Sequence, residues 1–348
     1  MSILNREEIE YENNRMYLES NTLISLISYP PNLSNTLLKD LILSDPLPEF
    51  DIDINILNNR NLKNISPNVE INKGILINRS SLRYLPTKSA FYSDIIVEEN
   101  IATELSFATP ILILHTSLDN EWHYIQSYFY KGWIYKNDVS IVDDATFFKF
   151  LSPNEFVIIT TNQLIMNEIT LDMGIKLPLL AQHSAFYEVL IPNANGCEIA
   201  VIDTNNANIG YLDYTEENII IQANKYLDTP YKWGGIENGI DCSLLIVNIF
   251  KTFGFIFPRD AKEQEKVVGL QNISLKGQTE EEKKTTLDFL LTPFILYKKG
   301  HVLLGLGNNK VLHAYGDAEK VIISDIDNSY GTNLYHHLTS VASLHKSL

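Results

Sequence analysis

The sequence predicts an α+β domain over its last third, two small β-barrels ahead of it, and a partly helical segment at the start. Three observations carry this reading. Short apolar runs broken by Gly, Pro, Asn and Asp fill residues 74–215, as strands joined by tight turns would. The stretch "CSLLIVNIFKTFG" has apolar residues at 244–247, 249, 250 and 253, too many for a surface helix and right for one buried on most of its circumference. Three further apolar runs, "FILY", "HVLLGLG" and "KVLHAY", follow it; a helix and then antiparallel strands make an α+β domain.

Taken in order, residues 1–75 are rich in Asn, Leu and Ile and are interrupted by "YPPN", "DPLPEF" and "ISPN". Only "NTLLKDLIL" reads as a short helix there, so this part is expected to be a brace with modest local structure. Residues 76–145 hold "LRYLP", "TPILILHTS" and "WHYIQSYFYKGWIYKNDVSIV", the first expected barrel. Residues 146–215 hold "EFVIIT", "IKLPLLAQH", "AFYEVLIP" and "CEIAVID", the second. Residues 216–348 hold the α+β domain, with Gly254 as the stop signal of its apolar helix.

Composition removes several classes. The chain carries 43 Asp and Glu against 27 Lys and Arg, a net charge of -16. No sustained basic stripe exists, so a nucleic-acid partner is excluded. No run of about twenty apolar residues is present to make a transmembrane segment. The start "MSILNREEIEYENNRMY" lacks the basic and apolar regions of a signal peptide. If that start is native, a cytoplasmic location is expected; if a signal peptide has been removed, the periplasm or cell envelope is. The 2 cysteines, Cys197 and Cys242, make neither a disulfide scaffold nor a Cys-x-x-Cys metal site. No cofactor and no metal is expected.

Chemistry concentrates at Cys242, which follows "GGIENGID" and opens the apolar helix. Helix N-terminal amides favour a thiolate, and a neighbouring imidazolium lowers the thiol pKa further. A buried core cysteine is the alternative. His301 opens one strand and His313 lies in the next, so adjacent antiparallel strands can bring both to one helix terminus. His301 would then take the thiol proton, and His313 would fix its tautomer. Two structural histidines are the alternative. Asp241 is a helix N-cap or a partner for Arg259.

The segment "PYKWGGIENGIDCSLLIVNIFKTFGFIFPRDAKEQ" at 230–264, then "GHVLLGLG" at 300–307 and "VLHA" at 311–314, resembles the NlpC/P60 cysteine peptidases. The family motif runs Tyr-x-Trp-Gly-Gly, Asp-Cys-Ser, a helix, Pro-Arg-Asp and Gln, then the histidine strand. "LRYLPT" and the 109–134 region resemble the first bacterial SH3-like domain of multidomain members, and "IKLPLLAQHSAFYEVLIP" resembles their second. The resemblance implies a papain-like catalytic domain behind two SH3-like barrels. Its catalytic residues would be Cys242, His301 and His313. It also implies cleavage between D-glutamate and the diamino acid, meso-diaminopimelate or lysine, of peptidoglycan stem peptides or muropeptides. A free N-terminal L-alanine can be demanded. Substrate would be held by Tyr130 (Tyr128 is the neighbouring alternative), Tyr231, Asp241 and Ser243. An amidase or acyltransferase using the same Cys–His pair is a second reading, and a non-catalytic wall-binding protein a third. The chain departs from the pattern at Leu244, where glycine is usual, at Ala261, and in lacking Pro-Gly-Asp before the histidine strand.

Overall fold

Asp241 stops an extended stretch and starts the helix Cys242–Lys251, whose residues 242–250 are all buried. The apolar density of this segment requires that: nearly every side chain must find a partner, so the helix has no solvent face. In this computed structural model, which describes residues 2–93, 97–166 and 168–345, the chain divides into two compact units. One comprises Met1–Leu23, Thr160–Asn162 and Tyr211–Leu348; the other Ile24–Ile159 and Gln163–Gly210.

The first unit is α+β. Its sheet has six antiparallel strands, in spatial order Gln271–Ser274, Leu338–Ser343, Phe294–Lys298, His301–Gly307, Lys310–Tyr315 and Lys320–Asp325. The cysteine helix packs on the two histidine strands. Leu287, from the helix Glu280–Asp288, joins Leu275, Phe294, Leu296, Leu303, Val311 and Val341 in a buried apolar cluster. A polar N-terminal helix, Arg6–Glu19, is tied on by side chains. Arg6 donates to the Phe253 carbonyl at 2.6 Å, and Asn13 donates to the Gly254 carbonyl at 2.8 Å and accepts from the Ile256 amide at 2.9 Å. It thereby holds the turn that ends the cysteine helix.

The second unit contains a seven-stranded sheet, ordered Ile101–Leu105, Ser80–Arg83, Lys131–Tyr135, Trp122–Gln126, Pro110–Thr116, Asn72–Leu76 and Val139–Val142. A five-stranded sheet runs Gly196–Asp203, Phe186–Asn193, Lys176–Gln182, Phe156–Ile159 and Ala207–Ile209. Here the structure corrects the sequence expectation of two closed SH3-like barrels ahead of the α+β domain; the α+β domain itself is as expected. Both sheets are open. Among the described residues, the outermost strands of each sheet have no ladder joining them, and closure requires one. In the first sheet the Ser80–Arg83 strand meets Lys131–Tyr135 through the single pair Arg83–Trp133. Alternation along a strand says which residues face inward, and it is the same in a curled open sheet as in a barrel.

Helices cover what closure would otherwise have covered. Leu38 and Ile42 of helix Asn35–Leu43, with Phe147 of helix Asp144–Leu151, pack on Leu112, Leu114, Tyr124 and Trp133. Phe150, from the same second helix, joins Val157, Leu177 and Val189 under the other sheet.

Candidate active site

The Asp241 carboxylate accepts the Leu244 N–H at 2.9 Å, satisfying one of the free donors of the helix start. The next residue, Cys242, sits inside the protein at 7% exposure. The Ser243 and Val302 backbone N–H groups act on its thiol, favouring the anionic form. Val302 follows His301 in the strand on which the cysteine helix packs. His301 and His313 are both buried, and His301 Nε2 lies 2.9 Å from His313 Nδ1. Tyr315 stacks on the His313 ring with centroids 4.8 Å apart.

Burial governs the electrostatics. It pushes the Cys242 thiol up to about 12, and the nearby Asp241 charge adds to the rise. The Val302 and Ser243 amides and Arg259 pull the other way. Burial, then His313 and Lys298, holds His301 well below the ordinary imidazole value. The thiolate expected from the helix amides is therefore corrected: those amides act in the expected direction, and desolvation outweighs them. The resting pair is a neutral thiol and a neutral imidazole.

His313 is lowered to about 4, by burial first and Lys298 second. Unfolded, the same ring titrates near 6.5 and binds a proton that the folded protein refuses. Its contribution to stability is thus complete above pH 6.5 and is lost as pH falls toward 4, a change of about 3 kcal/mol. Unfolding free energies at pH 7, 5.5 and 4 should fall more steeply in the wild type than in His313→Asn. Parallel curves would refute this.

Asp241 and Ser243, expected to hold substrate, meet each other and Arg259. Arg259 grips both Asp241 oxygens, at 3.0 and 2.5 Å, and donates to Ser243 Oγ at 2.8 Å. Arg259 is 3% exposed, so the pair is an internal one. Gln264, named above only as the motif's glutamine and given no role, donates from Nε2 to the carbonyls of Ser243 and Pro258 at 3.2 and 2.9 Å. Its position in "PRDAKEQ", beside the arginine, was the available signal. Tyr231 is half-buried and electrostatically coupled to Cys242 and Asp241; burial is the first cause of its raised pKa. Tyr130 and Tyr128 belong to the other unit. The Tyr130 backbone closes a turn with Ser127, at 2.7 Å between the Ser127 amide and the Tyr130 carbonyl.

Leu244, one of the three departures from the family pattern, lies over the turn before the cysteine. Gly235 has φ +77°, and a Cβ built there would stand 2.4 Å from Leu244 Cδ2. Gly235→Ala combines a left-handed backbone with that clash and should cost about 1–2 kcal/mol. A thermal melt unchanged from the wild type would count against it.

Residues 228–340 match the NlpC/P60 family, and residues 96–135 match the SH3 domain of SH3b1 type. The chain carries an NlpC/P60 catalytic domain with an SH3b-like accessory domain. The cysteine and histidines fall inside that NlpC/P60 match, and the enzyme class read from the sequence, a cysteine peptidase fold of this type, stands on it. The chain is 26% identical over 274 residues to dipeptidyl-peptidase 6 of Lysinibacillus sphaericus, covering 73% of this chain and 95% of that protein. It is 33% identical over 153 residues to the gamma-D-glutamyl-L-lysine dipeptidyl-peptidase of Bacillus subtilis (strain 168), covering 42% of this chain and 47% of that one. Among solved structures, an NlpC/P60 endopeptidase from Photobacterium damselae subsp. piscicida matches with TM-score 0.73 at 20% identity, over 99% of this chain and 94% of that one. An NlpC/P60 family protein from Bacillus cereus matches with TM-score 0.58 at 16% identity, over 79% and 100%. These two likenesses concern the fold.

Proposed function

We propose that this protein hydrolyses the bond between D-glutamate and the diamino acid of peptidoglycan stem peptides. The observation that carries the proposal is the packing of the Cys242 helix on the two strands whose buried His301 and His313 rings meet at 2.9 Å. The gamma-D-glutamyl-L-lysine dipeptidyl-peptidase name of a relative 33% identical supports the choice of bond.

In this reaction Cys242 Sγ attacks the γ-carbonyl carbon of D-glutamate while its proton passes to His301. A neutral thiol is no obstacle, because deprotonation and attack proceed together and no free thiolate has to form in the buried site. The carbonyl oxygen takes the developing charge, and backbone N–H groups at the helix start are suited to stabilise it. As the tetrahedral intermediate collapses, the C–N bond breaks and His301 gives its proton to the departing amine. Water then attacks the thioester, His301 takes a proton from it, and Sγ leaves and is reprotonated.

The test is mass analysis of L-Ala-γ-D-Glu-meso-diaminopimelate, and of its lysine counterpart, after incubation with the protein. Release of L-Ala-D-Glu and the free diamino acid is expected. An intact peptide, or a cut at the L-Ala–D-Glu bond instead, would overturn the proposal. An N-acetylated peptide run in parallel reads whether a free amine is demanded.

A further inference from the structure

We infer that Tyr330 is a specificity-determining residue that takes the side-chain ammonium of the departing diamino acid against its ring. This rests on the cleavage proposed above and adds what is recognised on the leaving side of the bond. His301 gives its proton to the departing amine, so the diamino acid lies on the imidazole side. Aromatic rings run outward on that side. Tyr315, which is buried, has its ring centroid 6.0 Å from that of His301 and 4.8 Å from that of His313. Tyr330 meets Tyr315 nearly perpendicular, with centroids 6.1 Å apart, and is 61% exposed. It is the open end of the series.

The turn that carries Tyr330 is built at a local cost. Ser329 and Thr332 exchange backbone hydrogen bonds at 2.8 and 2.9 Å. Between them Tyr330 and Gly331 form a hairpin turn, with φ +50° and +80°. Such turns favour Asn-Gly or Asp-Gly, because both positions are left-handed; a tyrosine there is strained. The root of the turn is fixed: Ser329 is fully buried, with Oγ 3.0 Å from Ser324 Oγ and 3.4 Å from His313 Nε2. The ring is therefore anchored beside the histidines and still faces solvent. Its surroundings are acidic. Asp317, Glu319 and Asp327 are exposed on the neighbouring stretches of chain. Lys320, which is electrostatically coupled to Tyr330, pairs with Asp228 at 2.5 Å. An aromatic face in such a field attracts a cation. Lysine and meso-diaminopimelate both present a second ammonium, which in lysine ends a long flexible stem.

Equilibrium binding to the Cys242→Ala protein, which lacks the nucleophile, tests this without reference to turnover. The probes are L-Ala-γ-D-Glu-L-Lys and the same peptide ending in norleucine, which keeps the stem and lacks the ammonium. The lysine peptide should bind about 2-fold to 5-fold tighter, the range of an exposed cation–ring contact. Adding Tyr330→Leu should erase the difference, and adding Tyr330→Phe should keep it, since the ring and not the hydroxyl attracts the cation. Tyr330→Asn should also erase it, yet melt no lower than its parent, because asparagine suits the turn. With Cys242 intact, Tyr330→Leu should raise KM for the lysine peptide and leave kcat little changed. Equal affinity for the two peptides overturns the inference, as does a Leu variant that keeps the preference or a Phe variant that loses it. An Asn variant that melts lower also overturns it, by showing that the ring is structural. If the wild type cleaves neither peptide, the proposed function fails on its own, while the binding comparison still decides the role of Tyr330.

Discussion

Cys242→Ala should lower kcat for stem-peptide cleavage by about 10⁶-fold, the scale seen when a hydrolase loses the nucleophile of a catalytic unit. The protein should stay folded. The change deletes one sulfur from a helix whose neighbours Leu245, Ile246 and Ile249 are fully buried. It removes no charge, because burial keeps the thiol neutral with a pKa of about 12. The small void costs on the order of 1 kcal/mol. Initial rates by mass spectrometry, beside a thermal melt, separate the two effects. A variant that melts like the wild type and still cleaves would remove Cys242 from the chemistry. His301→Ala is the less clean probe, since it also strips the His313 ring of its partner at 2.9 Å.

Arg259→Leu should have the largest effect on stability. The guanidinium is 3% exposed and holds both oxygens of Asp241, itself buried at 6%. Removing one partner of a buried ion pair leaves the other charge without compensation, at a cost of about 3–5 kcal/mol. Much of a typical domain's margin of roughly 5–15 kcal/mol would be gone. The consequence reaches the site because Asp241 also caps the cysteine helix through Leu244 and accepts from Ser243 Oγ at 3.3 Å. Asp241→Asn combined with Arg259→Leu should recover part of the loss, since no lone charge remains; a double-mutant cycle in denaturant measures the coupling. A single Arg259→Leu variant within 1 kcal/mol of the wild type, a small effect on the usual scale of substitutions, would show that the pair is not what holds the helix start.

The same residues show how far the sequence reaches. The run of apolar side chains after Cys242 specified a buried helix, because no amphipathic placement could satisfy all of them. The order Cys242, His301, His313 anticipated which elements pack together, because a helix followed by antiparallel strands gives few ways to pack: the cysteine helix lies on the two histidine strands, and the rings meet at 2.9 Å. The helix Arg6–Glu19 escaped notice: only Ile9 and Met16 are buried, so it leaves little apolar periodicity. It is specified by its Asn5–Glu8 capping box and by polar side chains whose partners lie more than 200 residues away.

The sequence by itself determined which helix carries the sulfur and which strands carry the two histidines, since both follow from residue type and local period. Only the tertiary structure decided that the accessory sheets stay open, that Arg259 and not solvent faces Asp241, and that the resting thiol is neutral. Strand closure, ion pairing and desolvation depend on what lies across space from a residue. Alternation and spacing along the chain carry no record of that.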